Sequence, residues 1–436
     1  KPKLDLGFFI LRDQNSMDRM MQPIKDYLFA DQHNYQGDVD TRFRDLARQF
    51  SRLQDARTDQ GGAALVVYFQ GQKVVDIYTG KKSATENWQP DTMSLCYSTG
   101  KGVLATLAHI LVSKGYLDYD RSVAEYWPEF AQKGKRSITL AHMLSHQSGL
   151  FDIRNIIDDA TEMADWSHML ERIAAAEPRF QTTTDAAYQP LTFGWQVGGV
   201  LEKATGKSLN QLMQEYLVQP LQLNGAYFSV PLDELPRVAR PIFKAKSASQ
   251  SSKGKKVAAR KPGLMERALI WSGQSPQDFQ DGMIPKGMKN FSFFSDEGLQ
   301  AIIPSANGVF TADSLAKIYA MLANHGAWQG QQLISPPVFQ RLSQVQYTRR
   351  DRVMPVPMHW RLGYHRILTL GKASTGFGHM GFNGSGAWCD PERGLSFAYT
   401  HNFPTGSLTG DYRLWGLTQE TLRCADAVLT GRKGWR

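Results

Sequence analysis

The chain has 436 residues, 42% hydrophobic and 21% charged, which is ordinary for a folded protein and too long for one small core. No run of 18 apolar residues occurs, which excludes a membrane-spanning helix, and three widely spaced cysteines (Cys96, Cys389, Cys424) exclude a disulfide framework or a zinc-type C-x-x-C pair. The net charge of +9 is local: residues 237–267 carry ten Lys/Arg against the single acid Glu266, leaving 40 basic and 40 acidic side chains elsewhere.

In chain order, 41-TRFRDLARQFSRLQ-54 has the apolar spacing of a helix. The stretch 63-AALVVYFQGQKVVDIYTG-80 reads as two strands joined at Gly71-Gln72. Next comes 94-SLCYSTGKGVLATLAHILV-112, an apolar helix with Ser98 three residues before Lys101. From about 120 to 300 the pattern is helical and loop-rich. Within it, 244-KAKSASQSSKGKKVAARK-261 reads as a flexible, solvated insertion; with no nucleic-acid motif beside it, no nucleic-acid partner is expected. Near the other end, 384-GSGAWCDPERGLSFAYTHN-402 is a second hairpin turning at Asp390–Gly394, and a helix over about 411–429 closes the chain. Strands at both ends and helices between them predict an α/β fold: an antiparallel sheet flanked by helices, with an inserted mainly helical domain. The expected division is 1–120 with 300–436 for the sheet domain, and 121–299 for the helical one with the basic insertion at about 237–267.

Ser98 and Lys101 share a helix face, so hydroxyl and amine can meet, and a desolvated lysine can act as a base toward a serine. The spacing alone decides nothing, because Ser252/Lys255 and Ser314/Lys317 repeat it. Ser252 falls in the polar insertion. Ser314 starts a helix that Thr311 caps, with its lysine turned to water. Only Ser98 is followed by a helix that can carry the lysine into a core, and Gly100 and Gly102 keep that face uncrowded. His142 and His146 have the i, i+4 spacing of a zinc pair but lack the glutamate of H-E-x-x-H, and they read as structural; no metal or cofactor is expected.

Four further segments follow in order: 114-KGYLDYDRSVAEYWPEF-130, 137-SITLAHMLSHQSGL-150, 188-YQPLTFGWQVGGVLEKATGKSL-209 and 376-GFGHMGFNGSGAWCDPERGLSFAYTHN-402. With the serine–lysine helix they strongly resemble the serine β-lactamase-like family, in the branch near class C β-lactamases and D-Ala-D-Ala carboxypeptidases. The resemblance spans roughly residues 40 to 430. It is greatest to the esterases often called family VIII, with which 303-IPSANGVFTADSLAKIYAMLANHGAWQGQQLISP-336 is also similar.

The resemblance implies a β-lactamase/transpeptidase-like fold with Ser98 as nucleophile and Lys101 as its partner. Tyr188 is then the second-motif tyrosine, its phenol pKa lowered by a neighbouring ammonium so that it serves as general base. His379-Met380-Gly381 stands where relatives carry K-T-G, and the oxyanion hole is expected from the Ser98 and Phe382 N–H groups. Two departures favour uncharged esters over penicillins: Pro190 replaces the asparagine that binds an acylamide, and His379 with Met380 replaces the carboxylate clamp. Tyr97, Trp195 and Trp388, near the motifs, are expected to line an apolar acyl pocket. The activity implied is a serine carboxylesterase working on small or short-acyl uncharged esters. β-Lactamase or D-amino peptidase activity, acyl transfer and a non-catalytic scaffold are the alternatives. Few cysteines favour a cytoplasmic home, with a periplasmic or secreted one after leader removal as the alternative; a membrane partner is not expected, and the oligomeric state is open.

Overall fold

A computed structural model describes residues 34–55, 60–243, 275–370, 373–405 and 411–431. Residues 244–267 of the basic segment, including Ser252 and Lys255, lie outside the described residues. From Tyr35 onward the chain forms one compact unit.

Seven antiparallel strands make the central sheet. Three come early: β1 (Gln36–Val39), β2 (Gly62–Phe69) and β3 (Gln72–Gly80). Four come late: β4 (His365–Arg366), β5 (Phe377–Met380), β6 (Gly386–Asp390) and β7 (Leu395–His401). Their order is β1-β3-β2-β7-β6-β5-β4, so β2 and β7 join the two ends of the chain, with Leu65 opposite Tyr399 and Val67 opposite Phe397. The β2–β3 turn is Gln70-Gly71, one residue earlier than the sequence reading placed it. Both turn residues have positive φ (50° and 77°), as a two-residue hairpin of matching twist requires, and this sets Phe69 opposite Gln72.

Every residue of β2 is buried, because both faces of the sheet are covered. The period of two sorts its side chains: Ala63, Leu65, Val67 and Phe69 enter one core, and Ala64, Val66 and Tyr68 enter another. The first core is closed by α1 (Arg44–Asp55), which with the turn before it presents Phe43, Leu46, Ala47 and Phe50. The second is filled by α2 (Thr99–Ser113), which is buried from Thr99 to Leu111. It also takes α3 (Thr192–Thr205), α4 (Ala312–Ala323) and helix Trp166–Ala175. The last helix, α5 (Tyr412–Leu429), packs on α1 over the first core. Each fully buried Leu, Val or Phe contributes ~1.5–3 kcal/mol, so this double covering dominates the stability of the sheet.

A second, small sheet joins segments far apart in sequence. Met93–Leu95 pairs with Val238–Ala239 and with Val309–Phe310, which also pairs with Ala226–Tyr227. It holds the chain that enters α2: Cys96 N donates to Gly308 O at 2.8 Å. Among the described residues no helix is long and apolar enough to cross a membrane.

Candidate active site

Ser98 occupies the N-cap of α2, yet its backbone is helical (φ −64°, ψ −9°) and its side chain makes no capping bond. A capping serine normally sits in the β region with its oxygen on a first-turn N–H. Here the hydroxyl is released from that duty and faces the interior. The residue before it, Tyr97, is held at φ +46°, a strained setting for a bulky side chain. The Tyr97 ring is fixed edge-on against Phe293 (6.1 Å), Phe294 (6.3 Å) and Phe382 (5.7 Å).

One turn on, Lys101 is fully buried. Its Nζ lies 3.0 Å from Ser98 Oγ, 2.7 Å from Pro190 O and 2.9 Å from Ser305 O. Burial pushes its pKa well below that of an ordinary lysine. A neutral amine has two N–H groups and one lone pair. The Nζ donates to all three oxygens; Ser98 Oγ is the one among them that carries a proton, so a deprotonated amine has its lone pair to offer there.

Tyr188 is also buried, with its ring centroid 5.0 Å from Lys101 Nζ, and its hydroxyl hydrogen-bonds Ser98. The expectation of a lowered phenol pKa is overturned: burial raises it, only partly opposed by the Ser98 bond. The physical reason is that the phenolate would be desolvated in this dry site, and the nearby Asp351 charge disfavours it further. Pro190, the departure in the second motif, supplies one of the two carbonyls on Lys101. Gln189 turns away to Ser148, its Nε2 2.6 Å from Ser148 Oγ.

The third motif ends β5, next to α2. Gly381 must be glycine, because a Cβ there would lie 2.2 Å from the carbonyl oxygen of Cys96, two residues before the serine. This close approach brings Phe382 to the cleft that Ser98 and Tyr188 line. Among the described residues, neither Ser98 N–H nor Phe382 N–H has an acceptor within the chain. His379 Nδ1 lies 3.0 Å from Met380 O and so carries the ring proton. Burial, then His365 and Lys101 beside it, hold His379 neutral.

Three participants were not found in the sequence. His365, on the two-residue edge strand β4, accepts Met380 N–H at Nε2 (3.1 Å) and stands 4.9 Å from His379, ring to ring; burial lowers its pKa to about 4. Asp351 and Trp360, from the loop before β4, hold Tyr188. Asp351 accepts Tyr188 N–H at 3.0 Å, and the Trp360 ring stacks on Tyr188 at 5.5 Å and 7°. His146, expected to be structural, packs beside Tyr188. It sits at φ +62° with its ring 5.1 Å from Tyr188, and its Nδ1 accepts Gln189 N–H at 3.3 Å. His142 instead closes the capping box of helix Leu140–Leu144 with Thr139, so the two histidines serve different elements.

The cleft walls are Phe279, Met283, Met354, Pro355, Met358, Trp360, Met380 and Phe382, around Ser98, Tyr188, His365 and His379. Two expected pocket residues are elsewhere. Trp195 is fully buried in the helical core. Trp388 alternates out of β6 toward α5, where its Nε1 donates to Thr418 Oγ1 (3.1 Å) and its ring stacks on Phe397. Tyr97 reaches the cleft only through Phe382. The competing pair is not assembled: Ser314 Oγ bonds Asn224 O, and Lys317 Nζ bonds Gln222 O and pairs with Asp313.

A serine hydroxyl at the start of a buried helix, backed by a buried lysine of depressed pKa and set against this sheet, defines a serine hydrolase. Residues 43–420 match the Beta-lactamase family, and the chain belongs to it. It is 35% identical to Esterase/beta-lactamase LipL of Mycobacterium tuberculosis (strain ATCC 25618 / H37Rv) over 373 residues, 84% of this chain and 82% of that protein. A solved family VIII carboxylesterase matches with a TM-score of 0.75 at 28% identity, over 89% of this chain and 99% of its own. A penicillin-binding protein homologue from Caulobacter crescentus matches with a TM-score of 0.74 at 30% identity, again over 89% of this chain and 99% of its own.

Proposed function

We propose that the protein is a carboxylesterase for small or short-acyl uncharged esters, working through an acyl-enzyme on Ser98. One observation carries the choice of substrate: the cleft walls contain no charged side chain, and their polar groups, Ser98, Tyr188, His365 and His379, are all neutral at pH 7. A substrate carboxylate would enter without a cation to meet it, at a desolvation cost of several kcal/mol. An ester enters without that cost.

In the proposed reaction the Lys101 amine takes the Ser98 proton as Oγ attacks the ester carbonyl carbon. The oxyanion is held by the Ser98 and Phe382 N–H groups at the N-terminus of α2. Tyr188, whose phenol keeps its proton at neutral pH, gives that proton to the departing alkoxide and regains one from the Lys101 ammonium. Water then attacks the acyl-enzyme with Lys101 accepting its proton, and as the bond to the acyl carbon breaks Lys101 passes that proton to Ser98 Oγ, which restores the free hydroxyl and the amine. The LipL and family VIII similarities support esterase chemistry on this scaffold.

The test is a fluorophosphonate probe with peptide mapping, run beside p-nitrophenyl acetate and nitrocefin turnover. Label on Ser98 that disappears in Ser98→Ala, with ester turnover well above nitrocefin turnover, is the expected result. Equal labelling of the alanine variant removes Ser98 as nucleophile, and nitrocefin turnover as fast as ester turnover removes the substrate assignment.

A further inference from the structure

Asp351 belongs to none of the motifs and lies 163 residues from Tyr188, yet its buried carboxylate ties Tyr188 to the wall of the cleft. Oδ1 accepts three backbone N–H groups: Tyr188 at 3.0 Å, Val353 at 2.8 Å and Met354 at 2.8 Å. Oδ2 accepts the indole N–H of Trp360 at 2.9 Å. Trp360 lies parallel on the Tyr188 ring, so the carboxylate grips the tyrosine by its backbone and by the ring that stacks on it. The chain between Val353 and Trp360 supplies four of the cleft's walls: Met354, Pro355, Met358 and Trp360.

Fixing a loop alone does not require a buried charge, since an amide oxygen accepts backbone N–H groups without the cost of desolvating an ion. What an amide cannot do here is accept on both arms. With its oxygen on the three backbone donors, its NH₂ would face the indole N–H, donor against donor. A carboxylate is the side chain of this size that accepts on both sides. Burial does push the carboxyl up, to about 6, and the four N–H groups pull it back.

We propose that Asp351 is a positioning residue for the hydrolysis: it sets the Tyr188 hydroxyl against Ser98 and locks the methionine wall that holds the acyl group to the same tyrosine through Trp360. The inference rests on the esterase reading above. Because these four wall residues and Tyr188 are anchored by one group, the acyl-binding and proton-transfer halves of the site move together. The flexible methionines Met354 and Met358 can then adapt to different acyl chains while their backbone stays fixed.

The experiment compares Asp351→Asn, Trp360→Phe and the double variant on p-nitrophenyl acetate and p-nitrophenyl hexanoate. Fluorophosphonate labelling of wild type and Ser98→Ala is run alongside, with melting curves for every protein. Asp351→Asn is expected to lower kcat on acetate by ~10–100-fold, from displacement of a reacting group, and to raise KM for hexanoate by more than it raises KM for acetate. Trp360→Phe keeps the stack and loses the N–H, and is expected to lower kcat several-fold. In the double variant no indole N–H opposes the asparagine NH₂, so kcat is expected to recover at least about threefold over Asp351→Asn, a coupling of contacting residues.

Failure of wild type to label at Ser98 overturns the esterase reading itself. With labelling intact, wild-type constants in Asp351→Asn or Trp360→Phe overturn the positioning role alone. So does a loss in Asp351→Asn that tracks its melting temperature and gains nothing from Trp360→Phe. Should Asp351→Asn not fold, Trp360→Phe by itself decides the matter through the kcat on acetate.

Discussion

Gly102→Ala tests how α2 is seated against β5. A Cβ at residue 102 would lie 2.1 Å from Tyr319 Oη, which is 0.9 Å inside the 3.0 Å below which such contacts are essentially never found. Its next neighbours are Tyr319 Cζ at 3.3 Å and His379 Cβ at 3.4 Å. Tyr319 is fully buried in α4 and cannot swing away, so α2 must move relative to α4 and β5. Overpacking of a rigid core costs ~1–3 kcal/mol. Alanine in a helix interior recovers about 1 kcal/mol relative to glycine, leaving a net loss of up to about 2 kcal/mol. The same displacement separates Ser98 from the Phe382 strand, and a shift near 1 Å at a reacting group costs ~10²-fold in rate. Urea midpoints and kcat/KM on p-nitrophenyl acetate read both effects. Tyr319→Phe removes the offending oxygen and leaves only the tight but tolerable contacts, so Gly102→Ala in that background should be neutral or stabilising and should recover most of the activity. An equal cost for Gly102→Ala with and without the Tyr319 hydroxyl would refute the packing argument.

Two buried ionisable side chains, Lys101 and Arg413, carry the remaining outcomes. The depressed pKa of Lys101 means that esterase activity falls as pH drops through that lowered value, and that Lys101→Arg, a base at no accessible pH, loses at least ~10³-fold at all of them. Since the unfolded lysine holds a proton that the native amine releases, Lys101 makes stability rise with pH up to its unfolded value; urea midpoints from pH 7 to 9.5 should climb less in Lys101→Met. Arg413 is fully buried, bonds Asp411 at 3.0 and 2.9 Å and lies 4.0 Å over the Phe403 ring, so Asp411→Ala strands a buried guanidinium and should cost ~3–5 kcal/mol in denaturant titration. Burial pushes the Asp411 carboxyl up, but the Arg413 bonds win and hold it low; the pair's contribution is therefore complete above the unfolded value of 3.8 and is lost as pH falls through the folded one.

The parts of this molecule that were legible in the sequence are those whose geometry is local. Period two in 63–80 and 384–402 gives the two hairpins that pair through β2 and β7, and the apolar run after Ser98 gives the helix that buries Lys101. The small second sheet was not legible, because its strands are two or three residues long and come from four distant segments. Asp351, Trp360 and His365 were missed for the same reason. They sit in an irregular loop and a two-residue edge strand, with no periodicity to mark them, and only the sheet order brings them to Tyr188 and β5. Trp195 and Trp388 were misplaced because nearness in sequence to a motif says nothing about which face a side chain takes. Trp388 sits between Ala387 and Cys389, which point into the opposite core.

The protonation of the site shows most clearly where sequence reasoning ends. Spacing and motif order bring a lysine, a serine and a tyrosine together, and from those residue types alone an ammonium beside a phenolate is the natural reading. Burial works against that reading: it pushes the Lys101 pKa well below that of an ordinary lysine, although the Nζ donates to two carbonyl oxygens and a hydroxyl. Tyr188 in the same dry site has its phenol pKa raised by burial and so keeps its proton at neutral pH. The residues Pro190 and Ser305, which are silent in any motif, supply two of the three acceptors around the Lys101 Nζ and so fix where the amine sits beside Ser98.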